Sequence, residues 1–495
     1  MRDYLSVERV AGWDREYELL GLLRDLMCDE ECGEAKIYSL EVLKWIEYSC
    51  EINNKIKCVA QPPLNIDAYV EAVLTNDLGN CRNKIVLVST TEYPDNIWIL
   101  YNEAVERGAV GVIFYDYYPS RRRRIVINGD WHYSFTKEIK TPVPAVQIRL
   151  EDYSVLKRYV GRRVSLHVKS SLVASRGYTL EYFIENDPSR EIIYSVHHDS
   201  WFSGFRDDAI GVLSLILIAR YLLKMISDAN YPSIRLISFT AEEFGDPRNV
   251  GWYWAYGSRY YLSNIYKTDL YNRNLLSVVA DTAFKEPVRV SYSTPELADL
   301  FKEKFRVKTL LEDYGHPYMD SISFIQRGVP TISLHNFPDM YSIYHTDLDI
   351  EYSGWRGFLE VYSRSIVKVF SEILSNIPEP VHLLRDLEKY SRYLPSDLRN
   401  NLLSVLNKSR RHMLLYSCFA KTLLRPVVYN YYRDLYNDIH LHPIYEILRR
   451  VSEDSVENII IPGEEEIFYV KSEKELNRLK DYVINTTQEF IACFD

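Results

Sequence analysis

The stretch Glu191–Ser200, EIIYSVHHDS, indicates the fold class of this chain: a short apolar run ends abruptly in two histidines and an aspartate. Similar apolar runs occur at 234–243, IRLISFTAEE, and at 275–281, LLSVVAD, both of which end in acids, and at 331–334, TISL. A strongly apolar helical run, 210–225, lies between the first two. Apolar strands that alternate with helices predict an α/β fold, a mostly parallel mixed sheet with helices on both faces.

On either side of these strands, the pattern of apolar and polar residues changes. Short β runs such as KIVLV at 84–88 are typical of the segment before these α/β strands, whereas helical patterns precede and follow. We therefore predict four regions. They are N-terminal helices at 1–64 that return to the α/β domain, a β-rich insert at 65–172 that forms a lobe separate from the main α/β sheet, the α/β domain itself at 173–378, and a mainly helical C-terminal extension at 379–495.

Composition and charge exclude several classes of function. The net charge of −10 argues against a nucleic-acid partner, because such proteins need a basic field to neutralise phosphates. The one basic run, 121–124, is short and is interpreted as a solvated loop. The N-terminus lacks the apolar core of a signal peptide, and no run of about 18 apolar residues occurs that could span a membrane. We therefore expect no membrane association and a cytoplasmic location.

The seven cysteines are odd in number and include no CxxC pair. This spacing favours buried free thiols over a disulfide framework or a cysteine-based zinc site. Cys28 and Cys32 would stack on one helix face.

Histidine, aspartate or glutamate, residue types that can bind metals, follow each strand of the α/β region. Since ligands bind at the carboxyl ends of strands in such sheets, these residues are expected to converge. Imidazole nitrogen and carboxylate oxygen suit zinc, and a zinc pair needs one bridging carboxylate and about two more ligands for each ion. The candidate ligands are His197, Asp207, Glu243, Asp281 and His345.

Two further acids complete the hypothesis. Glu242 is adjacent to Glu243, and neighbouring side chains at a strand end point to opposite sides, so one can bind metal while the other acts as general base. Asp199 lies two residues after His197 and can orient its imidazole ring. His198 and Asp208 stand next to His197 and Asp207, and they are rival ligands.

Five motifs now identify a resemblance. VHHDS, GFRDDAIG, FTAEEFG, VVADT and IYHTDLD resemble, in order and spacing, the motifs of metallopeptidase family twenty-eight, which includes dizinc aminopeptidases and glutamate carboxypeptidases. The resemblance assigns His197 and Asp281 to one metal, Glu243 and His345 to the other, and Asp207 to the bridge. It favours His197 and Asp207 over their rivals. It also implies that Tyr344 hydrogen-bonds the tetrahedral intermediate.

The β-rich insert resembles a protease-associated domain. The segments that carry this likeness are KIVLV, GAVGVIFYD and TPVPAVQI. In the family that domain covers the site and shapes access to it, and it supplies no catalytic residue.

The resemblance implies a dizinc exopeptidase that acts on peptide substrates, with Co²⁺ or Mn²⁺ as possible substitutes for zinc. It also implies that the α/β domain at 173–378, with the helices at 1–64, is the catalytic domain. We favour an aminopeptidase. A carboxypeptidase would need a cation for the terminal carboxylate, and Arg206 and Arg248 are candidates. A single-zinc glutaminyl cyclase-like enzyme and a receptor-like binding protein are further functions that the resemblance allows. A homo-oligomer is possible.

Overall fold

The computed structural model describes most of the chain. The described residues are 1–27, 33–91, 94, 97–127, 140–225, 231–266, 274–293, 295–312, 319–375, 379–408, 412–431, 440–453, 456–461, 466–469 and 472–494. Within these ranges the chain forms fourteen α-helices and eighteen β-strands.

The helices are α1 (Arg2–Leu5), α2 (Glu16–Met27), α3 (Ile97–Glu106), α4 (Leu150–Leu156), α5 (Ile210–Met225), α6 (Tyr256–Asn264), α7 (Pro295–Lys304), α8 (Ser321–Gln326), α9 (Trp355–Ser375), α10 (Val381–Tyr390), α11 (Ser396–Lys408), α12 (His412–Lys421), α13 (Ile444–Glu453) and α14 (Glu473–Ala492). The strands are β1 (Glu34–Ile52), β2 (Ile56–Lys57), β3 (Val59–Ala60), β4 (Ile66–Thr75), β5 (Ile85–Ser89), β6 (Gly111–Tyr115), β7 (Ala145–Ile148), β8 (Arg163–Ile184), β9 (Asp187–His197), β10 (Pro232–Phe239), β11 (Asn274–Ala280), β12 (Val288–Tyr292), β13 (Thr309–Glu312), β14 (Thr331–His335), β15 (Pro426–Tyr431), β16 (His440–Pro443), β17 (Val456–Ile461) and β18 (Glu466–Tyr469).

The catalytic sheet is centred on β9, which pairs in parallel with β10 and with β11. β11 is parallel to β14, while β12 and β8 join the sheet through antiparallel pairs with β14 and β10. Side chains on β9 alternate between two cores: Tyr194 packs with α2, α5 and α9, and Ile193 packs with α6 and α8. Burial on both faces explains the continuous apolar runs, and the predicted mixed α/β class is confirmed.

The β-rich insert is hydrogen-bonded to the catalytic sheet. β8 has 22 residues, so it pairs with β10 near its end and with β4 near its start. β4 in turn pairs with β5, which places the KIVLV segment in one continuous hydrogen-bonded path with the catalytic strands. The expectation of a lobe set apart from that sheet is therefore wrong, although the insert has its own apolar core. The limits 65 and 172 stay predictions.

Among the described residues before 65, the expected N-terminal helices are α1 and α2. Residues 34–52 form β1, which pairs antiparallel with β8 along its whole length. Leu40 and Val42 are buried two residues apart, the spacing of a strand. The prediction of helix over this segment is wrong because its apolar residues also match a helical spacing, and pairing with a distant strand decided the outcome.

The described residues of the C-terminal region form five helices, α10–α14, and also an antiparallel sheet in the order β16-β15-β17-β18. The sequence of 457–461 is β-like and this run lies in β17, but the prediction of a mainly helical extension did not include a sheet. Its strands have only four to six residues each, so their β pattern is weak beside the longer helical runs around them.

Disulfide bonds join Cys50 to Cys58 and Cys418 to Cys493, so the expectation of free thiols is wrong at these four positions. Cys81 is free and buried. Cys28 and Cys32 lie outside the described residues.

Searched over its described ranges, the chain has no helix that is long and apolar enough to cross a membrane.

The N-terminal segment is fastened to the catalytic domain by Arg9, whose side chain is fully buried. Its guanidinium donates hydrogen bonds to five backbone carbonyl groups, at distances of 2.7–3.3 Å. The acceptors belong to Leu5, Val7, His198, Ser203 and Gly204. Arg9 therefore ties the start of the chain to the loop that follows β9.

Arg9→Met is expected to lower the free energy of unfolding by about 3 kcal/mol or more, because buried acceptors left unsatisfied cost about 1–3 kcal/mol each. Urea denaturation followed by fluorescence measures the change. Arg24→Met is the matched control, since Arg24 is exposed and pairs only with its neighbour Asp25 among the ion pairs of the described residues. Equal midpoints for the two variants would contradict the fastening role.

Candidate metal centre

The carboxyl ends of the central strands place the candidate ligands at one edge of the sheet. β9 ends at His197, β11 is followed directly by Asp281, and β10 is followed by a short loop to Glu243. Asp207 lies in an irregular turn, Phe205–Ala209, immediately before α5. His345 lies in the loop after β14. All five side chains are buried.

These side chains form two groups that share Asp207. In the first, Nε2 of His197 is 3.2 Å from Oδ1 of Asp207 and 3.7 Å from Oδ1 of Asp281. In the second, Nε2 of His345 is 3.4 Å from Oδ2 of Asp207 and 2.7 Å from Oε2 of Glu243. In each group the ligand atoms lie within 4.8 Å of one another. Asp207 thus turns one oxygen to each group, as a bridging carboxylate would.

The donor atoms fit a pair of divalent cations. Nε2 of His197, Nε2 of His345 and Oδ2 of Asp207 are buried, and none is oriented for a hydrogen bond to another described residue. Burial and neighbouring carboxylates raise the pKa of Glu242 well above its usual range, and burial raises the pKa of Glu243 to about 7. Nitrogen and oxygen donors of this kind suit zinc, and a cation would compensate the crowded acids.

Comparison with known proteins agrees with this geometry. The model of peptidase family M28 (metallopeptidase family twenty-eight) matches residues 182–360. That segment is a peptidase family M28 domain.

The individual relatives have low sequence identity to this chain, 16–26%. A Caenorhabditis elegans glutamate carboxypeptidase 2 homolog is 26% identical over 194 residues, 32% of this chain and 25% of the relative, so the match spans a quarter of that protein. A zinc aminopeptidase from Bacillus subtilis is similar in structure, with TM-score 0.54 and 16% identity over 72% of this chain and 90% of that one. A peptidase M28 precursor from Shewanella amazonensis gives TM-score 0.55 and 16% identity over 76% and 92%. At these identities the structures show the fold alone.

The rival ligands of the M28 domain lie outside the two groups. The ring of His198 lies between Ser238 Oγ, 2.9 Å from Nδ1, and Glu16 Oε1, 3.1 Å from Nε2. Asp208 accepts a hydrogen bond from the backbone N–H of Gly211. Neither residue belongs to the metal-binding groups found among the described residues.

Asp199 contacts both His197 and the loop of Glu242 and Glu243. The sequence predicts that its side chain orients the ring of His197, but its carboxylate mainly binds the glutamate loop. Its carboxylate accepts the backbone N–H groups of Glu242 and Glu243, at 3.1 and 3.0 Å. Nδ1 of His197 is 3.1 Å from the backbone oxygen of Asp199 and 3.7 Å from its carboxylate. Asp199 therefore contacts the ring of His197 mainly through the main chain, and its carboxylate holds the loop that carries the two glutamates.

In three loops, residues other than glycine that lie within two positions of a ligand adopt the left-handed backbone region. Ala241 has φ 54° before Glu242, Thr282 has φ 56° after Asp281, and His345 itself has φ 53°. Such conformations are costly for residues other than glycine and persist where surrounding contacts fix them. The strain lies where side chains must be aimed accurately.

Tyr344 stacks on the ring of His345, with the ring centroids 3.5 Å apart. Its edge also meets Phe337. The hydrogen bond from Tyr344 to a reaction intermediate stays a prediction.

Arg206 and Arg248, the candidates for binding a substrate's terminal carboxylate, each form an ion pair within the protein. Arg206 forms an ion pair with Asp349 at 2.9 Å and lies over the ring of Tyr352. Arg248 forms an ion pair with Asp246 at 2.8 Å.

Sequence reasoning missed Asp320, the residue before α8. Its carboxylate is buried and electrostatically coupled to Glu242, and burial raises its pKa to about 7. No hydrogen bond of good geometry reaches either carboxylate oxygen from the described residues. An acid before an apolar helix is an ordinary helix start, so the sequence alone carried no signal for this location.

Proposed function

We propose that the M28 domain is a dizinc exopeptidase, specifically an aminopeptidase, that hydrolyses peptide bonds near a chain terminus. The observation that carries this proposal is the pair of ligand groups that share Asp207. His197 and Asp281 would hold one ion, and Glu243 and His345 would hold the other. Zinc at such ligands polarises a carbonyl group and lowers the pKa of water.

The chain's own residues have separable tasks in this proposal. Glu242 accepts a proton from the attacking water and returns it to the leaving amine. Asp199 fixes the Glu242–Glu243 loop through two backbone hydrogen bonds, so the general base and the ligand keep their relative positions. Burial excludes bulk water from these groups and strengthens their electrostatic interactions.

Charge distribution supports aminopeptidase over carboxypeptidase specificity. Arg206 and Arg248 already pair with acids, so neither offers an uncommitted cation to a substrate carboxylate. The buried acids Glu242 and Asp320 would instead favour a substrate that brings a positive charge, such as a free amino terminus.

The sequence leads us to expect a cytoplasmic location. The two disulfide bonds argue against that location. Cytosolic thiol systems keep most protein cysteines reduced, intracellular proteins of hyperthermophiles being an exception.

We expect the zinc-loaded protein to cleave an aminoacyl-nitroanilide and to lose this activity when the substrate amine is acetylated. The reason is that an aminopeptidase uses the free ammonium group for binding. Release of nitroaniline measures the rate, and Glu242→Gln serves as the inactive reference.

Three results would change the assignment. Faster cleavage of an N-blocked dipeptide with a free carboxylate would indicate a carboxypeptidase. Cyclisation of an N-terminal glutaminyl peptide, with one zinc per chain, would indicate a cyclase. Binding of peptides without turnover would indicate a receptor-like relative.

A further inference from the structure

The arginine run 121–124 is not the solvated loop expected from the sequence. Arg123 is fully buried and Arg124 nearly so, where the β-rich insert meets the loop that carries His345. Arg123 forms an isolated β-bridge with Thr346, the residue after His345. The insert therefore contacts the metal centre through backbone next to a ligand.

The side chain of Arg123 joins the two parts of the structure. On the insert side, Nε donates to Oδ2 of Asp116 at 2.8 Å. On the catalytic side, Nη2 donates to the backbone oxygen of Tyr341 at 2.9 Å, and Nη1 donates to the backbone oxygen of Tyr344. One planar guanidinium thus binds an acid of the insert and two carbonyl groups of the ligand loop.

The flanking arginines hold the same loop through their main chains. The backbone N–H of Arg124 donates to the backbone oxygen of His345 at 3.0 Å. The N–H of Asp347 donates to the backbone oxygen of Arg122 at 3.1 Å, and the N–H of Arg122 donates to Oδ1 of Asp347 at 3.0 Å. The carbonyl groups of residues 344 and 345 are therefore both occupied by the arginine run.

His345 needs such support more than His197 does. A metal-binding histidine usually donates its second ring nitrogen to an oxygen that fixes the ring, as Nδ1 of His197 can do with the backbone oxygen of Asp199 at 3.1 Å. Nδ1 of His345 is buried, and no described residue hydrogen-bonds it. The backbone of His345 is also left-handed, with φ 53°. Its ring position must therefore be set by backbone contacts and by ring contacts with Tyr344 and Trp201.

We propose that Arg123 is a positioning residue for the metal site of Asp207, Glu243 and His345, and that the β-rich insert thereby forms part of that site. The claim about metal rests on the proposed function. The claim that Arg123 orders the loop around His345 rests on the contacts alone.

The test compares Arg123→Met with Asp116→Asn in the full-length protein. Arg123→Met removes the bonds to the ligand loop, whereas Asp116→Asn weakens the same buried ion pair and leaves those bonds intact. We expect Arg123→Met to lower the affinity for one zinc ion by about 10–100-fold, the usual effect of losing a group that orients a ligand. The affinity for the other zinc ion should not change. Competition with a chelator measures both affinities.

A double-mutant cycle identifies which ion is affected. If Arg123 acts through His345, then Arg123→Met should cause no further loss of zinc affinity in a His345→Ala background. An equal loss of both ions, additive losses in the cycle, or matching effects in Asp116→Asn would each overturn the proposal. Should Arg123→Met fail to fold, Arg123→Lys replaces it, because lysine keeps the charge but lacks the planar fork that reaches three acceptors.

Hydrogen exchange of the metal-free protein provides a readout that needs no zinc. The amides of Tyr344, Thr346 and Asp347, all hydrogen-bonded within or next to the loop, should exchange faster in Arg123→Met than in Asp116→Asn. If the wild-type protein binds no zinc, the proposed function fails, but this exchange measurement still decides the positioning role. Unchanged exchange would refute it.

Discussion

Glu242→Gln is expected to lower kcat by about 10²–10⁴-fold, the usual consequence of removing a general base. The carboxylate of Glu242 is buried beside the two ligand groups, and Oε1 has no hydrogen-bond partner among the described residues. Glutamine keeps the shape of the side chain but cannot accept a proton from water. Because the same group would return the proton to the leaving amine, we expect the larger figure.

Glu243→Gln provides the matched comparison, since the two residues are adjacent and both backbone N–H groups are held by Asp199. Glu243 lies 2.7 Å from His345 in the second ligand group, so its substitution should weaken metal binding as well as rate. Steady-state kinetics and zinc content of both variants test this division. Metal loss in Glu242→Gln with retention in Glu243→Gln would reverse the two roles, and full activity of Glu242→Gln would disprove the mechanism.

Asp207→Ala is expected to disturb both metal sites, whereas His345→Ala should chiefly weaken one. The two carboxylate oxygens of Asp207 lie 3.2 and 3.4 Å from Nε2 of His197 and of His345, so this residue belongs to both groups. His345 belongs to one. We expect activity to fall below detection in Asp207→Ala, because neither ion keeps its shared ligand.

Elemental analysis after dialysis against a fixed free zinc concentration measures the number of ions. His198→Ala is a suitable control, because His198 is equally buried and adjacent to His197 but pairs with Glu16 and Ser238 instead. One ion or none in the wild-type protein would contradict a dinuclear centre. Loss of a single ion in Asp207→Ala would contradict the bridging role.

The α/β class and the candidate ligands of the M28 domain follow from local patterns in the sequence. Each of His197, Glu243 and Asp281 lies within a few residues of the end of its own apolar strand, so strand and ligand form a local signal. A parallel sheet brings the carboxyl ends of its strands to one edge, and convergence of the ligands follows without knowledge of any distant contact.

Features that depend on partners far away in the sequence are visible only in the folded chain. Residues 34–52 became a strand because β8 pairs with them, and Cys418 meets Cys493 across 75 residues. His198 is removed from the rival ligands by Glu16, 182 residues earlier. Arg123 is buried because Asp116 and the carbonyl groups of the His345 loop, more than 200 residues later, satisfy its donors. A charged run has no local pattern that distinguishes a solvated loop from a buried clamp, since the cost of burial is offset by groups that only the folded chain brings near.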